Sequence, residues 1–134
     1  MTTVIIYKTK YGSTKEYAEI LSKELKCKAI EMDSVKKLSP YSRVIVMSGT
    51  YAGRMPLTGF LKSSWSSLKD KEVIAIAIGL VSKDHLWSKI TYWFIPFWIR
   101  NKINYFKIMG RDPESKKPVS KANLKQVIDY LNKK

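Results

Sequence analysis

The residues of this chain whose types and spacing could do chemistry sit in one short polar run: Thr9, Lys10, Tyr11, Gly12, Ser13 and Thr14. An apolar run precedes them and a helical pattern follows. The first backbone N–H groups of a helix have no intrahelical partner and carry the positive end of its dipole, so a phosphate can sit there without an ion pair. Hydroxyls at Thr9, Ser13 and Thr14 would add donors, and Gly12 would let the backbone approach an anion closely. An ordinary capped strand-to-helix turn has the same composition, so composition by itself leaves both readings open.

Little else offers a reaction centre. His85 is the only histidine and stands at an expected helix start, where a surface or capping role is the expectation. Cys27 is the only cysteine, which excludes an internal disulfide and a zinc cluster, suits a reducing compartment and reads as an inert helix-end thiol. The fingerprints G-x-G-x-x-G and G-x-x-x-x-G-K-[ST] are absent. A phosphoacceptor receiver domain would need an aspartate at the end of the third strand, where Met47, Ser48 and Gly49 stand. No catalytic or metal-binding side chain is therefore expected; chemistry carried by a cofactor would need none.

The elements that must position the polar run are legible. Val4, Ile5, Ile6 and Tyr7 form a β-branched and aromatic run of the kind buried on both faces of a parallel sheet. Tyr17, Ala18, Leu21 and Leu25 have helical spacing and predict a helix starting near Ser13 or Thr14. Residues 29–33 predict a second strand, and residues 36–41 a connection broken by Pro40. Residues 43–48 predict a third strand, and a helix follows Pro56 through Phe60, Leu61 and Trp65. Residues 72–80 are the most apolar strand, residues 104–110 a fifth, and residues 121–131 a last helix with Leu124, Val127, Ile128 and Leu131 on one face. Strand and helix alternate, so an α/β fold with a doubly wound parallel sheet is expected. A length of 134 residues with 45% hydrophobic content makes one domain, residues 1–134.

Residues 4–21 resemble the signature of the flavodoxin family. That pattern asks for two apolar residues, an aromatic, a hydroxyl, a small residue, a threonine, an alanine and a closing aliphatic. Ile5, Ile6, Tyr7, Thr9, Gly12, Thr14, Ala18 and Leu21 meet it in register, and Ser13 stands where many flavodoxins have asparagine. The resemblance implies a flavodoxin-like three-layer sandwich with strand order 2-1-3-4-5, and ligands bound beyond the carboxyl ends of the strands. It implies flavin mononucleotide (FMN) as cofactor, its phosphate wrapped by the loop from Thr9 to Thr14. Two further loops would then hold the isoalloxazine ring: Ser48, Gly49, Thr50, Tyr51, Ala52 and Gly53 form one, and Gly79, Leu80 and Val81 begin the other. Tyr51 stands where the family commonly stacks an aromatic on that ring.

Two readings follow from the resemblance and a third from charge. The first is an FMN-binding redox protein passing electrons to a partner protein or a quinone, which leaves open an electron-transfer flavoprotein or an FMN-dependent oxidoreductase. The second is a membrane-associated quinone-linked oxidase, because residues 41–62 resemble the flavodoxin-type menaquinone-dependent protoporphyrinogen oxidase at Tyr41, Arg43, Val44, Gly53, Phe60 and Lys62. The third is a flavin-free basic interaction module. It draws on 25 basic against 11 acidic residues, a formal net charge of +14, whereas flavodoxins resemble one another in being acidic. Nucleic acid is not expected as a partner.

The remaining oddity is residues 86–99, which hold three of the four tryptophans, Trp87, Trp93 and Trp98, with Arg100 and Lys102 directly after them. The run is broken by Pro96 and too short to cross a bilayer, which takes about 20 apolar residues. Part of it is expected to pack as a crossover helix, with Trp93 and Trp98 either in the core or at a membrane interface. Lys89, Arg100, Lys102 and Lys107 would supply cations to an anionic surface. With no secretory leader recognised, a cytoplasmic location is expected, peripheral attachment to the inner face of the membrane being the variant that this aromatic run suggests.

Overall fold

The computed structural model of the chain describes residues 2–8, 13–49, 56–79, 92–93, 95–109 and 124–132. Its centre is a sheet of five parallel strands: β1 (Thr3–Lys8), β2 (Lys28–Glu31), β3 (Arg43–Gly49), β4 (Glu72–Gly79) and β5 (Ile103–Met109), in the spatial order β2-β1-β3-β4-β5. This is the doubly wound, flavodoxin-like α/β arrangement expected from the alternation of elements. Sequence-adjacent parallel strands need a crossover, and helices α1 (Ser13–Leu25), α2 (Pro56–Leu68), α3 (Phe97–Arg100) and α4 (Lys125–Asn132) flank the sheet.

Side chains alternate across each strand, so each strand feeds two cores. Val4, Ile6, Val44, Val46, Val73 and Ala75 face Leu57, Leu61 and Leu68 of α2, with Ile95 and Ile99 beside them. Ile5, Ile45, Met47, Ile74 and Ile76 face Tyr17, Ala18 and Leu21 of α1 and Val127, Ile128 and Leu131 of α4. Every residue of β3 is buried, which is why the run from Val44 to Met47 is apolar throughout and shows no period of two. Burying each large aliphatic completely stabilises by about 1.5–3 kcal/mol.

Element ends carry their own causes. Lys26, at φ 54°, closes α1 in the left-handed region, and the Cys27 N–H donates to Ser22 O at 3.1 Å, the reverse-turn bond that satisfies a last-turn carbonyl. Where the sequence predicts strand over residues 29–33, β2 ends at Glu31 and a 3-10 turn covers Met32–Ser34. The Glu31 carboxylate accepts from the Asp33 N–H at 2.9 Å and so caps that turn. At the start of the sheet Arg43 and Glu72, register partners on β3 and β4, form an ion pair at 3.2 Å between Nε and Oε2, with both side chains largely buried.

Candidate functional site

The carboxyl ends of β1, β3 and β4 meet at one edge. Lys8 is the register partner of Ser48, Ser48 of Ala77 and Ala77 of Lys107, so one row of residues crosses from β1 to β5 just below that edge. Above it β3 ends at Gly49 and β4 at Gly79, beside Ile78 and Met109 respectively. Glycine and Ala77 leave little side chain here. From β1 the chain crosses residues 9–12 and starts α1 at Ser13, which brings the first-turn N–H groups of a 13-residue helix to the same edge. Thr14, in that first turn, is 2% exposed.

Ser48 fixes the second connection. Its Oγ is fully buried, accepts from the Leu57 N–H at 3.2 Å and donates to Gly49 O at 3.2 Å. Leu57 lies in the first turn of α2, so one hydroxyl satisfies a free helix-start donor and clamps both ends of residues 50–55. Sequence reading placed Ser48 in the site as a loop residue; its role as a clamp across nine positions follows only from the packing.

The charge at this edge differs from the raw sequence balance. Lys8 would be a bare cation at the mouth by position alone. Instead its Nζ pairs with the Asp33 carboxylate and lies 3.5 Å from Glu31 Oε1. The hydrogen bond to Asp33, ahead of the desolvation that opposes it, raises the Lys8 pKa above its usual value. One cation and two carboxylates leave this corner at −1, so Lys8 does not add a positive field. Lys107 is a second departure. It was expected among cations facing a lipid surface, but it is half-buried on β5, and desolvation lowers its pKa to about 8. The strand pairing that turns Lys107 into the sheet has no trace in its immediate sequence.

Of the residues expected to hold a ligand, Ser13, Thr14, Ser48, Gly49 and Gly79 come to this edge. Thr9, Lys10, Tyr11, Gly12, Thr50, Tyr51, Ala52, Gly53, Leu80 and Val81 lie outside the described residues. Among the described residues no group of histidine, cysteine and acidic side chains could hold a metal ion. Cys27 is not activated: burial, ahead of an opposing contribution from Arg43, pushes its thiol up. The edge offers helix-start N–H groups, hydroxyl residues and glycine-ended strands, held in place by the core of Met47, Ile76 and Ile78 against α1 and α4. That donor set suits a phosphate bound without an ion pair, and the sparse side chains suit a flat ring. The residues present therefore fit FMN.

The aromatic run lies elsewhere. α3 precedes β5, so Arg100 and Lys102 stand at the opposite end of the strands from this edge. Trp93, Phe97 and Trp98 are exposed there; Trp87 lies outside the described residues.

A family model described as Flavodoxin domain matches residues 4–117. Solved structures share the fold at low identity. A flavodoxin from the domain Archaea superposes with a TM-score of 0.63 at 17% identity, over 99% of this chain and 98% of that one. A short-chain flavodoxin associated with a non-canonical PDU bacterial microcompartment gives 0.65 at 20%, over 99% and 98%. A flavoprotein in complex with FMN from Lactobacillus acidophilus NCFM gives 0.57 at 15%, over 81% and 91%. Among curated proteins nothing matches the chain.

Proposed function

The chain belongs to the flavodoxin domain family, and from that premise we propose that it binds FMN at the carboxyl edge of β1, β3 and β4 and carries electrons through the bound flavin. The observation that carries this reading is the meeting of the α1 start with the glycine ends of β3 and β4 at one edge.

In this reading the phosphate lies against the first turn of α1, where N–H groups of Ser13 and Thr14 and the hydroxyls of Thr9, Ser13 and Thr14 supply donors. The helix end contributes roughly half an elementary charge, so no lysine is required. Gly49 and Gly79 let the backbone approach the ring, and Ser48 holds the loop containing Thr50, Tyr51, Ala52 and Gly53 at both ends. The flavin supplies one- or two-electron chemistry when bound. The protein's part is to bind and to orient the flavin.

The quinone-linked oxidase reading is the finer alternative, and the residues that suggest it mostly serve the fold. Arg43 is paired with Glu72, Val44 is core, Tyr41 and Phe60 pack against the α2-side core, Lys62 is exposed on α2, and Gly53 lies outside the described residues. Four of these six residues therefore have a structural role whether or not the chain is an oxidase. A redox protein that passes electrons to a partner protein or a quinone is the reading we adopt.

The test is the absorbance spectrum of the purified protein. Flavin bands in the visible, and release of FMN on denaturation, are the expected result. A colourless protein that takes up no added FMN would overturn the proposal. Porphyrinogen oxidation with a quinone acceptor then separates the oxidase from a carrier.

A further inference from the structure

Between β4 and β5 the chain leaves large rings in water. Trp93, Phe97 and Trp98 are 69%, 63% and 55% exposed. Two residues beside them in the chain are core: Ile95 and Ile99 are buried against the α2 side of the sheet. These two anchors, four apart, hold α3 down and leave the intervening Phe97 and Trp98 pointing outward in edge contact at 5.5 Å. The Arg100 guanidinium lies 5.1 Å from the Trp93 ring centre and 5.6 Å from that of Tyr92, which itself packs on Tyr105 at 4.7 Å. Trp93 is thus ordered by a cation without being buried.

The sequence of this segment has one sign. Residues 86–110 contain no Asp or Glu, while Arg100 and Lys102 directly follow the rings, and the chain as a whole carries +14. Lys102 is exposed. We propose that this patch docks the protein peripherally on an anionic lipid bilayer, with Trp93, Phe97 and Trp98 at headgroup level and Lys102 meeting lipid charge. Amphipathic rings favour that depth, and cations close to an anionic leaflet add to them. A second copy of the chain fits less well, since it would bring the same basic surface against itself. An acidic protein partner would find Arg100 already engaged by two rings. No helix among the described residues is long and apolar enough to cross a membrane.

The proposal does not depend on flavin binding. Ile103 pairs with Val73 near one end of β4 and Met109 with Gly79 at the other, so a seven-residue strand, roughly 20 Å, separates the patch from the candidate cofactor edge.

Co-sedimentation of the full chain with phosphatidylserine–phosphatidylcholine vesicles, and with phosphatidylcholine alone, tests it. Binding to the anionic vesicles at low salt, and none to the neutral ones, is expected. Lys102→Glu, which changes the charge by two units, is expected to weaken partitioning roughly thirtyfold. The double variant Trp93→Ser, Trp98→Ser should weaken it at least tenfold while its thermal transition stays at the wild-type position, because the rings are exposed. Absence of wild-type binding at low salt would overturn the proposal. So would equal binding by the tryptophan variant, a melting point many degrees lower in that variant, or a dimer that the same substitutions abolish.

Discussion

Lys26 occupies a backbone position that disfavours it. A side chain at φ 54° meets its own carbonyl, whereas glycine adopts that conformation freely, and the bond from the Cys27 N–H to Ser22 O requires it. Lys26→Gly is expected to stabilise the protein by about 0.5–1 kcal/mol, a rise of about 2–5 °C in Tm by calorimetry. Lys107 is a second residue whose environment conflicts with its chemistry. Burial lowers its pKa to about 8, while in the unfolded chain it holds its proton to about the ordinary 10.5. Between those values the unfolded form binds more protons, so stability rises with pH from about 8 to about 10.5; below 8 the cost of burying the cation is present in full. Allowing for its remaining solvent contact, the rise is on the order of 1–2 kcal/mol. Urea unfolding across that range reads it, and Lys107→Met should remove the slope that the wild type shows. An unchanged slope in the variant would mean that other lysines, relieved of mutual repulsion, account for it.

At the scale of elements, the strands were the most legible part. β1, β3 and β4 read directly from runs such as Val44, Ile45 and Val46, because a strand buried on both faces leaves no polar position to interrupt the run. The last helix was legible too, with Leu124, Val127, Ile128 and Leu131 buried as their spacing predicts. β2 was shifted because a glutamate capping a 3-10 turn has no periodic signature. The aromatic run divided in a way that composition alone could not foresee: Ile95 and Ile99 went to the core and the tryptophans to water. Charge pairing between elements was invisible for the same reason, since Lys8 meets Asp33 only once β2 lies beside β1. The start of the sheet depends on one such pair. Arg43 is 8% exposed, so Glu72→Ala would leave its charge uncompensated and should cost about 2–4 kcal/mol in urea unfolding. Arg43→Met with Glu72→Leu should recover most of that loss, which a role confined to one residue would not allow.

For the whole molecule, the balance of +14 sets the protein's long-range field, while among the described residues of the candidate site Lys8 is paired with two carboxylates. Residues 1–82 carry 13 basic and 7 acidic groups, net +6, and residues 83–134 carry 12 and 4, net +8. Among the described residues at the edge, two carboxylates occupy Lys8, and Lys107 is half-buried, which leaves the helix-start N–H groups as donors for an anion. Of the run from Thr9 to Thr14, Ser13 and Thr14 open α1 at the carboxyl edge of the sheet, and the rest of the expected ligand loops lie outside the described residues. Thr14→Asp would place a carboxylate against a bound phosphate, yet Thr14 is 2% exposed, so that substitution also perturbs folding. The wild-type protein provides the cleaner measurement: the ratio of its affinities for FMN and for riboflavin, titrated into the flavin-stripped chain. Two or more charge-assisted bonds at the α1 start, each contributing about 1.5–3 kcal/mol, predict that FMN binds at least a hundredfold more tightly. Equal affinity for the two flavins would contradict the assignment of the phosphate to that helix.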